Sequence, residues 1–152
     1  MVTTAMDTII AGTDGSVTAG RAVGEAASLA RSTGARLVLV SAFSALHPYR
    51  ERLQSTARED LIDLGEVSEQ VLQRAADAVG GEELQIERVS RQGNPAEVLA
   101  DVAEEQGAQL IVLGDRGLSA MHRFLLGIVS SKLVHHAPCN VLIVRGNGDR
   151  RG

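Results

Sequence analysis

The sequence predicts an α/β fold, a doubly wound parallel sheet of five strands with four helices on both faces. Two observations carry this. Short β-branched apolar runs alternate with segments of helical period from one end of the chain to the other. The inner runs, "ARLVLVSAF" and "AQLIVLG", are apolar throughout rather than alternating, as in strands covered on both faces. A strand-to-helix-to-strand order calls for right-handed crossovers, and the strand order is taken as 3-2-1-4-5.

Each element has its own punctuation. "DTIIAGT" from Asp7 is a short strand ending at Gly12 and Thr13. Ser16 can cap the helix that follows, Ala19, Val23, Ala26 and Ala30 recur at helical spacing, and Gly34 stops it. "ARLVLVSAF" is the second strand. A polar connection from Ser44 to about Thr56, with His47 and Pro48, is longer than most loops and reads as a lid or an early helical turn. Leu61, Leu64, Val71, Leu72, Ala75 and Val79 suit a long second helix closed by Gly80 and Gly81. "ELQIERV" alternates only in part, which suggests an edge strand. "NPAE" is a helix start: Asn94 caps, Pro95 takes the first position, and Glu97 can reach back. Leu99, Val102 and Ala103 give that helix its inner face, and Gly107 ends it. "AQLIVLG" is the fourth strand, Val129, Leu133 and Val134 mark a fourth helix stopped by Pro138, and "NVLIVRG" is the last strand.

Size and composition agree with this reading. The 152 residues suit a single domain, with an ordered core at about residues 7–145 and frayed ends. The chain is 44% hydrophobic and 22% charged, which is globular. Phe43, Tyr49 and Phe124 are its only aromatics, so the core is built from Ala, Val, Leu and Ile. A formal charge of −4 gives no basic field for nucleic acid. Cys139 is alone, excludes an internal disulfide, and reads as a buried thiol. No apolar run approaches the ~20 residues of a membrane span, and Met1 to Met6 lack the pattern of a secretory signal. The expected location is the cytoplasm.

In an open sheet of this class, ligands bind beyond the carboxyl ends of the strands where strand order reverses. That crevice would lie between the first and fourth strands. There "GTDGS" meets "GDRG", each with a glycine directly at a strand end. Gly114 and Gly117 bracket a tight turn, where the missing Cβ permits positive φ or the close approach of a ligand. Gly127 stands where a helix begins, and the amides of Ile128, Val129 and Ser130 could form an anion site there. Spacing alone allows the plainer alternative that these glycines only make turns.

The spacing G-x2-G-x9-G of Gly114, Gly117 and Gly127 resembles the nucleotide-binding signature of the universal stress protein family. "GTDGS" and "APCNVLIV" resemble that family's first and last segments, so the likeness covers almost the whole chain in order. It implies a dimer and, for a subset of the family, bound ATP. Carried over, Asp14 would meet the ribose or adenine side, with Gly12 and Thr13 as floor. Ala42 would contact adenine. Gly114, Arg116 and Gly117 would line ribose and phosphates, and Gly127, Val129 and Ser130 would hold the phosphates. The family's ATP-binding members usually carry Ser or Thr after the third glycine. Here Ile128 keeps the amide but lacks the hydroxyl, which predicts weakened binding. Ser130 or Ser131 could compensate in part.

Other residues admit two readings. Asp14 could be a turn former. Arg116 and Arg123 could pair with phosphate, Arg123 equally with solvent. One carboxylate, Asp115, is a thin basis for magnesium. His135 and His136 suit the carboxyl end of a helix. His122 could touch phosphate, His47 is expected to be exposed, and Met121, Phe124, Leu125 and Leu126 are expected to fold their segment onto the body rather than form a docking box. No nucleophile–base pair and no G-x4-G-K-[ST] loop appears, so any ATP hydrolysis would be slow. The expectation is an ATP-binding stress-response sensor, paired as a homodimer through Val141, Leu142, Ile143 and Val144. The alternative is a dimeric interaction protein of the same fold without nucleotide. An adenylyl-transferring enzyme is a distant third, because no second domain accompanies the fold.

Overall fold

The computed structural model describes residues 5–43, 57–115 and 128–146, with backbone alone for 57–63 and 128. Its elements are β1 (Thr8–Gly12), α1 (Val17–Thr33), β2 (Arg36–Phe43), α2 (Ala57–Val79), β3 (Ile86–Gln92), α3 (Pro95–Gln106), β4 (Leu110–Gly114), α4 (Ile128–His136) and β5 (Asn140–Val144). The five strands form one parallel sheet in the order β3-β2-β1-β4-β5. Ala11 pairs with Leu39 on one side and Val112 on the other. The order therefore reverses between β1 and β4, as expected.

Strand alternation sorts the core into two layers. Ile9, Ala11, Leu37, Leu39 and Val112 face α1 and α2, where they meet Ala22, Val23, Ala26, Ala30 and Leu72. Ile10, Val38, Val40, Ile111 and Leu113 face the other way, onto Val98, Leu99, Val102 and Ala103 of α3 and Leu133 of α4. Ile9, Ile10, Leu37, Leu39 and Ile111 are wholly buried; each such side chain is worth about 1.5–3 kcal/mol of transfer free energy. The alanine face of α1 lets that helix lie close on the sheet in place of large aromatics.

The helix ends are where their residues put them. Ser16 Oγ accepts from the Ala19 amide, and Asn94 Oδ1 accepts from Ala96 and Glu97. Gly34 (φ 77°) and Gly107 (φ 64°) close α1 and α3 in the left-handed region. The return bond from the Glu97 side chain to residue 94 is not among those of the described residues.

One strand differs from expectation. β3 begins at Ile86 and runs to Gln92, later than "ELQIERV" suggests. Residues 81–84 instead close α2: Leu84 N–H donates to Gly81 O at 3.1 Å, and Glu83 pairs with Arg31 at 3.0 Å. β3 does stand at a sheet edge. Val134 is also half exposed, so Leu133 alone of that pair faces the core.

Candidate functional site

The first wall of the crevice is the turn after β1. Thr13 N–H donates to Val40 O at 2.9 Å, which holds the chain level with β2 as it leaves the strand. The Gly15 amide donates to Thr13 Oγ1 (3.2 Å) and the Ser16 amide to Asp14 Oδ1 (2.9 Å). Gly15 has φ 85°, a value that an L side chain resists. Asp14 helps to form this turn, and it stands exposed at the rim. Ala42, half-buried at the end of β2, packs toward the α3–α4 layer.

The glycines at the ends of β1 and β4 are points of close packing. Gly12 and Gly114 are absent from the positive-φ glycines. A Cβ on Gly12 would lie 2.6 Å from Leu113 Cδ2 and 3.1 Å from Leu99 Cδ2. A Cβ on Gly114 would lie 2.6 Å from Thr18 Cγ2 and 3.0 Å from Thr18 O. The space beside each is filled by the protein itself. Gly12 admits the core beneath α3, and Gly114 admits the first turn of α1.

The second wall begins at Gly114. Ser130, 3% exposed in α4, donates its hydroxyl to Gly114 O at 2.9 Å. A hydroxyl has one proton to give, and here the Gly114 carbonyl receives it. Asp115 N–H donates to Val144 O (2.9 Å), and Asp115 Oδ1 accepts from the Gly146 amide (3.1 Å). That carboxylate fastens the chain leaving β5. No cluster of metal-ligating side chains occurs among the described residues. Val129 is half-buried against the α3–α4 core.

α2 is pinned beside the end of β2 by a short hydroxyl chain that sequence spacing does not reveal. Ser90 Oγ donates to Ser68 Oγ at 2.8 Å, and Ser68 Oγ donates to Ser41 O at 3.2 Å. Serines on three separate elements carry no common periodic signal, so only the tertiary fold brings them together.

Of the residues expected at the site, Gly12, Thr13, Asp14, Ala42, Gly114, Val129 and Ser130 are described, with the backbone of Ile128. They gather at the carboxyl ends of β1, β2 and β4 and at the start of α4. Arg116, Gly117 and Gly127 lie outside the described residues, as do His47, Met121, His122, Arg123, Phe124, Leu125 and Leu126. His135 and His136 occupy the last turn of α4. Cys139 is half-buried, and desolvation pushes its thiol above the usual range. No described helix is long and apolar enough to cross a membrane.

Residues 6–145 match the model of the universal stress protein family. A universal stress protein of Thermus aquaticus is 37% identical over 148 residues, covering 91% of this chain and 98% of its own. One from Bacillus subtilis is 33% identical over 145 residues, covering 87% and 94%. Among solved structures, a universal stress protein in complex with cAMP is 31% identical with a TM-score of 0.70, covering 93% of this chain and 98% of its own. Another from Lactobacillus plantarum is 25% identical with a TM-score of 0.81, covering 94% and 100%.

Proposed function

This chain belongs to the universal stress protein family, and from that premise we propose that it binds an adenine nucleotide, ATP first, and acts as a nucleotide-dependent stress-response regulator. The supporting observation is the crevice at the reversal of strand order. There Thr13, Asp14 and Ala42 stand on one side, and the first turn of α4 begins on the other. The cAMP complex of a relative adds weight to an adenine nucleotide as the class of ligand.

The described residues fit such a ligand unequally. Thr13, Asp14 and Ala42 offer a polar rim and an apolar patch for adenosine. On the phosphate side, Ile128 has no hydroxyl, and the Ser130 hydroxyl is engaged by Gly114 O. α4 would therefore hold phosphate with main-chain amides, the ordinary donors of a helix start. The regulator would work in the cytoplasm through its bound state rather than through turnover, with residues of about 7–145 acting as one unit.

The second reading, a dimeric interaction protein without nucleotide, is favoured by the same Ile128. In both readings two copies pair through β5. Its edge carries Val141, Leu142, Ile143 and Val144, whereas the opposite edge strand carries Glu87, Arg88 and Arg91. Calorimetric titration of folded protein with ATP, ADP, AMP and cAMP decides between the readings. Saturable binding in the micromolar range supports the first. No saturation below millimolar nucleotide leaves the second.

A further inference from the structure

We propose that Ser130 is a positioning residue: its hydroxyl fixes the first turn of α4 to the end of β4 and so sets the phosphate end of the site. The inference rests on the nucleotide reading above and assigns this side chain a role other than touching the ligand. Its hydroxyl is buried, with 3% of the residue exposed, and lies 2.9 Å from Gly114 O. Phosphate oxygens need donors, and the single hydroxyl proton is already given to a carbonyl. Releasing it would leave a part-buried carbonyl short of this partner, at a cost that a surface hydroxyl would not incur.

The acceptor end of this bond is itself held from three directions. Thr18 closes on Gly114 from α1, with Cγ2 where a Cβ would stand. Asp115 is tied by its amide to Val144 O and by its carboxylate to the Gly146 amide. Gly114 and Asp115 therefore form a corner braced by α1, β5 and the chain leaving β5. α4 has nine residues, and its wholly buried Leu133 lies one turn from Ser130 on the same face. Two inward anchors define how a short helix is rotated and how far it stands from the sheet. Ser130 is the anchor at the end where amides would meet phosphate.

The test compares Ser130→Ala and Ser130→Thr with the parent chain. Hydrogen exchange is read on ligand-free protein over residues 129–133, and calorimetry is run with ATP and with adenosine. In Ser130→Ala, exchange of the Lys132 and Leu133 amides, which bond back onto the first turn of α4, should quicken several-fold without ligand. ATP affinity should fall about tenfold while adenosine affinity holds, and Thr should restore both, since it returns the hydroxyl. A merely structural serine would leave the ratio of ATP to adenosine affinity unchanged, and that result overturns the proposal. Unchanged ligand-free exchange with lost ATP affinity also overturns it, because the hydroxyl would then touch phosphate directly. If the parent chain binds no ATP, the nucleotide reading fails and the phosphate role with it, while the exchange data still decide whether Ser130 holds α4. Should the alanine variant not fold, Ser130→Cys, of similar volume but a poor donor, takes its place in every comparison.

Discussion

Thr18 stands where a side chain on residue 114 would have to be: its Cγ2 lies 2.6 Å from the position of a Cβ on Gly114, and its carbonyl oxygen lies 3.0 Å from it. The first turn of α1 thus packs directly on the last residue of β4. Gly114→Ala should be destabilising, because the obstacle includes main chain that cannot swing aside. Overpacking of this kind costs about 1–3 kcal/mol, or roughly 3–10 °C in Tm for a chain of this size. Thr18→Ser removes the nearer atom and should recover part of the loss in the double variant. Thermal unfolding of the two singles and the double checks it; additive losses would show that the two residues are not coupled.

Gly12 offers a graded comparison. Its added Cβ would meet the Cδ atoms of Leu113 and Leu99, which are the far ends of flexible side chains. Gly12→Ala should cost less than Gly114→Ala, and trimming Leu113 to Val should lessen that cost. The same melting experiments rank the two. Equal losses would mean that the packed core, with Leu99 and Leu113 both nearly buried, yields no more readily than backbone.

The frame of this molecule was legible in its residues because its signals are local. Ser16, Gly34, Asn94 and Gly107 each act within one turn of a helix end, and each stands at its cap. The apolar runs of β1, β2 and β4 announce strands buried on both faces. The site was legible only as a place. That Gly114 makes room for Thr18, that Ser130 gives its proton to Gly114 O, and that Asp115 holds Gly146 are contacts between residues distant in sequence. A serine shortly after a glycine signature carries no local sign that a carbonyl sixteen residues earlier accepts its proton. β3 was misplaced for a related reason: Glu83 and Leu84 look strand-like, but Arg31 and the core under α2 claim them.

Ile128→Ser supplies a hydroxyl directly after the third glycine, where this chain has none. A hydrogen bond to a charged group is worth about 1.5–3 kcal/mol, so ATP should bind roughly ten- to a hundredfold more tightly. Adenosine affinity should not change, since adenosine brings no phosphate. Titration calorimetry with both ligands measures this. Equal tightening for adenosine would place the effect in folding rather than in phosphate contact. Binding that appears only in the variant would favour the reading in which the native chain has lost its nucleotide.

Acid should loosen the join between β3 and α3. Arg91 donates to Glu105 through both terminal nitrogens, at 2.8 and 2.9 Å. That hydrogen bonding, ahead of the bare charge of Arg91, holds the Glu105 carboxyl below its usual range. A group with a lowered folded pKa contributes stability above its unfolded pKa and loses it as pH falls through the folded value. Wild-type stability should therefore decline slightly more than that of Glu105→Gln between neutral and acid pH. Both partners are well exposed, so the difference should be small and should vanish in high salt. Melting curves across pH at two ionic strengths test it. A Glu105→Gln profile that matches wild type at low salt would show that the pair contributes nothing.

Leu142→Glu tests the β5 interface more cleanly than a charge at either neighbour. Val141 and Ile143 pack against the α3–α4 core of their own chain, so charging them would injure folding as well as pairing. Leu142 is 37% exposed on an edge strand with no described neighbour beyond it. In a two-fold pairing the same patch meets itself, so one substitution sets two carboxylates near each other with no partner of opposite charge. At concentrations where the parent chain sediments as a dimer, the variant should sediment as a monomer with an unaltered circular dichroism spectrum. A persistent dimer would place the contact elsewhere. A monomeric parent chain would leave the apolar edge of β5 to a different occupant, because unpaired strand edges of this composition are otherwise guarded by charge, as β3 is.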